Sequence, residues 1–180
     1  MLFRSKAVVL AIDSQGGSAT ASDAIWRAVQ RVLAKKPVVA VLGNVAASGG
    51  YYIAVGACEI LASPGTITGS IGVVGGKLVV GPALARQGVH TEHVLGAPQG
   101  DLLSPLQGFR PDQRLRFRAG LQEFYRVFLE RVSAGRRRPV SAIAPYAEGR
   151  VWTGRQALER GLVDQLGGLE DGIQRAARLA

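Results

Sequence analysis

The chain has 180 residues, 47% of them hydrophobic, with 24 glycines and a net charge of +9. That is enough for one domain with a real core, too apolar for a disordered chain, and without the strict glycine period of collagen. The single cysteine, Cys58, excludes an internal disulfide and a cysteine-rich zinc site.

The positive balance comes from 22 Lys+Arg against 13 Asp+Glu, and only Lys6, Lys35, Lys36 and Lys77 are lysines. The arginines are dispersed along helical stretches, and the one tight run is Arg136-Arg137-Arg138 beside Pro139. Without interleaved aromatics or a binding motif, no nucleic-acid partner is expected; an anionic membrane surface suits the charge better. No apolar run approaches transmembrane length and the N-terminus shows no clear signal-peptide pattern, so the chain as given is expected to be soluble.

In chain order, Ala7 to Ile12 reads as a short buried strand and ends in the turn-rich stretch Asp13-Ser14-Gln15-Gly16-Gly17-Ser18. Ser22 and Asp23 supply an N-cap and a first-turn acid for a helix to about Lys35, which Lys36-Pro37 stops. Val38 to Leu42 is a second buried strand, so Ala7 to Leu42 forms a right-handed crossover with parallel strands. Next comes Asn44-Val45-Ala46-Ala47-Ser48-Gly49-Gly50-Tyr51-Tyr52, followed by the small-residue helix Ile53 to Ala57. Ser48 therefore sits where strand gives way to helix, a position that aims its hydroxyl into a crevice beside free backbone N–H groups.

Glu59 to Ala62 and Thr66 to Val74 read as strands, Pro82 to Gln87 as a short helix ended by Gly88, and Val89 to Leu95 as a further strand. Gly96 to Arg110 is loop-like. A long helix runs from Pro111 to about Ala134, with Phe117, Leu121, Phe124 and Phe128 on a face suited to the core or a subunit contact. Pro139 to Ala147 looks helical, Arg150 to Trp152 extended. Thr153 caps a helix ended by Gly161, and Leu169 to Ala180 is a terminal amphipathic helix. This alternation points to a layered α/β fold with a parallel sheet and a helical C-terminal part, in one domain over 1–180.

Four motifs occur in order: Asp13 to Ser18, Ala46 to Tyr52, Thr68-Gly69-Ser70-Ile71-Gly72, and Gly149 to Gly154 leading to Gly161-Leu162-Val163-Asp164. Together they resemble the signal peptide peptidase A family of bacterial serine proteases, most closely the carboxy-terminal half of its long, tandem members. The resemblance covers nearly the whole chain. It implies a Clp-protease/crotonase-like fold and a Ser-Lys dyad with no cofactor, in which Ser48 attacks the peptide carbonyl. It also implies that the N–H groups of Gly49 and of the Gly16-Gly17 pair form the oxyanion hole, and that Ser70 orients the lysine base. Association with a bacterial membrane and a homo-oligomeric ring are further expectations of the resemblance.

Three departures qualify it. Where single-unit members carry the lysine, this chain has Gly100, within Gln99-Gly100-Asp101-Leu102-Leu103-Ser104-Pro105, and no lysine follows Lys77. In tandem members the lysine comes from the amino-terminal half, so a lysine-bearing partner half or neighbouring subunit is expected here. The family also places strands, and often a membrane anchor, ahead of Met1-Leu2-Phe3, so the domain looks truncated at its N-terminus. Lastly, Gln15 stands where the family usually has a proline. Within the chain, Lys77 reads as a solvated surface lysine, and His90 and His93 have nothing to orient them. The expected activity is hydrolysis of short apolar peptides such as released signal peptides. The alternatives are a catalytically silent assembly or peptide-binding module of the same fold, and a crotonase-type acyl-CoA enzyme, which the Ser48 motif disfavours.

Overall fold

The computed structural model describes residues 5–92 and 94–180; His93 lies outside them. The chain divides into two compact units, one of residues up to Val73 together with Phe124–Ala180, the other of Val74–Glu123.

The first unit is built on a six-stranded, curled and mostly parallel sheet. Strands β1 (Val8–Ser14) and β2 (Val38–Ala47) are parallel and joined by helix α1 (Ala19–Leu33), the crossover expected from the apolar runs. β2 continues past Leu42 to Ala47, and after Ser48 the chain enters helix α2 (Gly49–Ala54) at once. Strand β3 (Glu59–Ala62) pairs with the first half of β2, and β4 (Ile67–Gly69) with its second half. Helices α3 (Gly81–Arg86), α4 (Pro111–Arg136), α5 (Val140–Ile143), α6 (Gly154–Glu159) and α7 (Leu169–Leu179) follow. Strand β5 (Val151–Thr153) runs antiparallel to β4, and β6 (Gln165–Leu166) extends the other arm beside β3.

β2 changes neighbours in its middle, and the backbone groups released there find side-chain partners. Asp13 Oδ1 accepts from the Val45 N–H (3.1 Å), and Thr66 Oγ1 donates to the Gly43 carbonyl (2.8 Å). The β1–β2 register shifts at the same level, from Ile12 opposite Leu42 to Ser14 opposite Ala46. Such a bulge re-aims the end of a strand without leaving buried polar groups unpaired.

Burial follows the strand period of two. Val38, Ala40 and Leu42 face a large core with Ile12, Tyr51, Ile60, Phe128 and Val132, while Val39 and Val41 face a smaller one with Leu61 and Ala176 of α7. None of Val38 to Leu42 is more than 5% exposed, and each buried valine or leucine contributes about 2 kcal/mol by removal of apolar area from water.

Several sequence expectations are corrected. Helix α1 starts earlier than expected because Ser18, not Ser22, is its cap, accepting from the Ala21 N–H at 3.3 Å. Thr66 to Val74 yields only the three residues of β4, since Gly69 and Ser70 take positive φ (80° and 49°) and end the strand. The described part of Val89 to Leu95 forms no strand. Pro139 to Ala147 splits into α5 and a 3-10 turn over Ala144–Tyr146, where Pro145 has no N–H to continue the helix.

The last turn of α4 is locked to the sheet by a two-pronged ion pair. Arg136 Nη1 and Nη2 donate to Asp164 Oδ2 (2.8 Å) and Oδ1 (2.6 Å), Arg136 Nε donates to the Gly161 carbonyl, and the Ile60 N–H donates to Asp164. Beside it, Tyr51 Oη donates to the Leu162 carbonyl at 2.7 Å, and burial pushes this phenol far above its ordinary value. Burial would raise the Asp164 carboxyl too, but the Arg136 bonds and charge and the Ile60 N–H outweigh it, and its pKa is held below the usual value.

A depressed folded pKa gives stability that is complete above the unfolded value of about 4 and lost as pH falls through the folded one. Asp164→Asn should destabilise the fold by about 2 kcal/mol at neutral pH, because Arg136 is nearly buried while Asp164 is partly solvated. Urea denaturation at pH 7 and pH 3 checks this: the difference between wild type and variant should shrink at pH 3.

Candidate active site

The paired ends of β2 and β4 set the geometry of the two serines. Ala47 lies opposite Gly69, and the Ser48 N–H donates to the Gly69 carbonyl at 2.9 Å. Ser48 and Ser70 thus leave neighbouring parallel strands side by side, both half-buried and both with positive φ (50° and 49°). The Ser70 N–H is held by the Arg150 carbonyl at 2.7 Å. At Ser48 ψ is −117°, and its side chain makes no capping bond to α2. A non-glycine residue in this region stores about 1–3 kcal/mol of strain, which persists only where the surroundings over-determine it.

The glycine loop after β1 lies directly against this turn. A Cβ placed on Gly16 (φ 100°) would fall 2.6 Å from the Gly49 nitrogen and 2.8 Å from the Ser48 Cβ, so only glycine fits. A Cβ on Gly49 would fall 3.4 Å from the Gly17 nitrogen. The structure therefore brings Gly16, Gly17, Ser48 and Gly49 together. It also separates the glycine donors, because the Gly16 N–H donates to Ser14 Oγ at 3.2 Å. Gly49, as the first residue of α2, has no carbonyl of its own helix to bond. The Gly17 and Gly49 N–H groups are accordingly the pair suited to a developing oxyanion.

Helix α2 is clamped at its other end. Tyr52 Oη donates to Asp23 Oδ1 (2.7 Å), Arg27 Nε donates to Asp23 Oδ2 (2.6 Å), and Arg131 approaches Asp23 at 3.4 Å while stacking on the Trp26 ring. Burial would raise the Asp23 carboxyl, but the hydrogen bonds from Arg27 and Tyr52 and both arginine charges outweigh it and keep its pKa low. The sequence offers Ser22 as an N-cap and Asp23 as a first-turn acid; in the structure Ser22 lies against Gly49 and Asp23 bonds Tyr52, contacts across the fold that periodicity does not carry.

Among the described residues of the first unit no lysine or histidine accompanies Ser48. The unit's lysines, Lys6, Lys35 and Lys36, precede Val8 and Val38, which pair at the opposite end of the strands. With ten residues in β2 at about 3.3 Å each, that end is roughly 30 Å from Ser48. In the second unit Lys77 is half-buried rather than solvated, donating to the Leu102 carbonyl at 3.0 Å with its ammonium over the Phe109 ring. His90 is exposed. Gly100 is exposed in a turn closed on the Ala97 carbonyl. Its neighbour Asp101 is nearly inaccessible, accepting from Arg110 Nη1 (2.6 Å), Gln113 Nε2 (2.7 Å) and Gln107. The Arg110 bond holds the Asp101 carboxyl below its usual value and ties down the loop that contains Gly100. Among the described residues no helix is long and apolar enough to cross a membrane.

The sequence model of Peptidase family S49 matches residues 30–180. Serine protease SPPA, chloroplastic, of Arabidopsis thaliana is 38% identical over 97% of the chain, and Protease 4 of Salmonella typhi 40% identical over 97%. Protease 4 of Haemophilus influenzae is 36% identical over the same share. The chain spans only about a quarter of the length of these relatives, 26% of the first and 28% of the other two. With four ordered motifs, a curled parallel sheet and a match to the family over most of its length, the chain belongs to Peptidase family S49, which has a Clp-protease/crotonase-like fold.

Proposed function

We propose that this chain is the serine-bearing subunit of an endopeptidase that hydrolyses short apolar peptides, such as released signal peptides, and that its general base is a lysine donated by a partner half or a neighbouring subunit. The observation that carries this reading is the strained Ser48, held at the end of β2 with the Gly17 and Gly49 N–H groups beside it. A serine hydroxyl is a weak nucleophile until a neighbouring base takes its proton, and a desolvated amine does so at neutral pH. In this reading Ser48 Oγ attacks the scissile carbonyl as the lysine accepts its proton. The carbonyl oxygen becomes an oxyanion between Gly17 and Gly49, and the same lysine returns the proton to the leaving amine. In the same reading Ser70, at the end of the adjacent strand, hydrogen-bonds the incoming amine. Water then releases the acyl group from Ser48.

A homo-oligomeric ring and attachment to a membrane surface complete the proposal. Support comes from the net charge of +9 and from the exposed apolar residues Val74, Leu78, Leu103 and Leu115 of the second unit, surface of the kind that assemblies cover. The second reading, a silent assembly or peptide-binding module, is favoured by one observation: among the described residues of the unit carrying Ser48, no lysine or histidine lies near it.

Hydrolysis of an apolar fluorogenic peptide separates the two. The chain mixed with a lysine-bearing amino-terminal half should cleave it, with Ser48→Ala reducing the rate by at least about 10³-fold; silence of the folded mixture would favour the assembly module. Gly16→Ala in the same mixture should lower kcat by about 100-fold, since its Cβ must push the Gly49 N–H out of place.

A further inference from the structure

We infer that Ser22 is a positioning residue that sets the spacing between the two halves of the oxyanion pocket, an inference that rests on the proposed role of Ser48. Ser22 lies in the first turn of α1, 6% exposed, and the space a Cβ on Gly49 would occupy is taken by its hydroxyl, only 2.4 Å from that point. The Gly16 Cα and the Gly17 nitrogen lie at 3.2 and 3.4 Å from the same point. Ser22 Oγ, the glycine loop and the start of α2 therefore converge on one side of Gly49.

The hydroxyl is also tied to the loop that carries Gly17. Ser22 Oγ donates to the Ser18 carbonyl at 3.0 Å, and Ser18 directly follows Gly16-Gly17 and caps α1. The Ser22 N–H already donates to that carbonyl at 3.0 Å, so the hydroxyl is not needed to satisfy it. Alanine is the better helix former at such a site. What the hydroxyl adds is a rigid spacer: anchored on the loop that presents the Gly17 N–H, it abuts the residue that presents the Gly49 N–H. The adjacent Asp23 holds Tyr52, so consecutive residues of α1 fix the first and fourth residues of α2.

A spacer of this kind acts on the tetrahedral state and not on substrate binding, because the oxyanion exists only after attack. The test uses the chain with a lysine-bearing amino-terminal half, an apolar fluorogenic peptide, a peptide aldehyde that adds to Ser48, and the matching unreactive peptide amide. Ser22→Ala should lower kcat by about 10- to 100-fold with KM within about twofold, and weaken the aldehyde by a similar factor. Binding of the amide and the thermal midpoint should stay close to wild type. Ser22→Thr, which keeps the hydroxyl and its bond to Ser18, should recover most of kcat. Hydrolysis that depends on Ser48 but is unmoved by Ser22→Ala, or is lost equally in Ser22→Thr, would overturn the inference alone. A parallel loss of aldehyde and amide binding would also overturn it, showing a general collapse of the site. Equal rates in wild type and Ser48→Ala would overturn the nucleophile reading and this inference with it.

Discussion

The parallel pairing that ends at Ala47 and Gly69, closed by the Ser48 N–H on the Gly69 carbonyl, is the constraint on which the site depends. It fixes the backbone on one side of Ser48, and α2 fixes it on the other, so the residue between them takes a φ of 50°. The strain is supported at a distance. β2 is buried on both faces, its middle is relieved by Asp13 and Thr66, and the helices packed on it are locked by Arg136–Asp164 and by the Asp23 network. A turn this over-determined keeps an unfavourable conformation at little risk of relaxing, which is what preorganised catalysis requires.

The same architecture explains the glycines without appeal to flexibility. The loop after β1 touches the start of α2, and at Gly16 any side chain would meet the Gly49 nitrogen. Ser14 removes the Gly16 N–H from consideration by accepting it, so the loop offers one donor rather than two. This close approach is made with Gln15 preceding the glycine pair.

Much of the first unit was legible in the sequence. The runs Ala7 to Ile12, Val38 to Leu42 and Glu59 to Ala62 are short and mostly apolar, and the strands lie on them. The junction serine was legible for the same reason, since Ser48 follows an apolar run and precedes small residues. Other features were hidden because they are set by contacts distant in the chain. The true cap of α1 depends on the glycine loop, the end of β4 depends on the left-handed turn at Ser70, and within the loop-like stretch Gly96 to Arg110 the burial of Asp101 depends on Arg110, Gln107 and Gln113. The division at Val74 and Glu123 has no composition shift to mark it, and one helix runs through the second of these points. Lysine placement is the opposite case: that no lysine follows Lys77 is plain in the sequence, and the strand geometry adds that Lys6, Lys35 and Lys36 lie at the end of the sheet away from Ser48.

If Ser48 becomes a nucleophile only when a lysine is supplied from outside this chain, covalent capture at its hydroxyl reads this out. An apolar peptidyl fluorophosphonate would be incubated with the chain, alone and with a lysine-bearing amino-terminal half, and the adduct located by peptide mass spectrometry. One adduct, on Ser48, should form rapidly and only in the mixture. Labelling at another residue, or no labelling of the folded mixture, would contradict that reading.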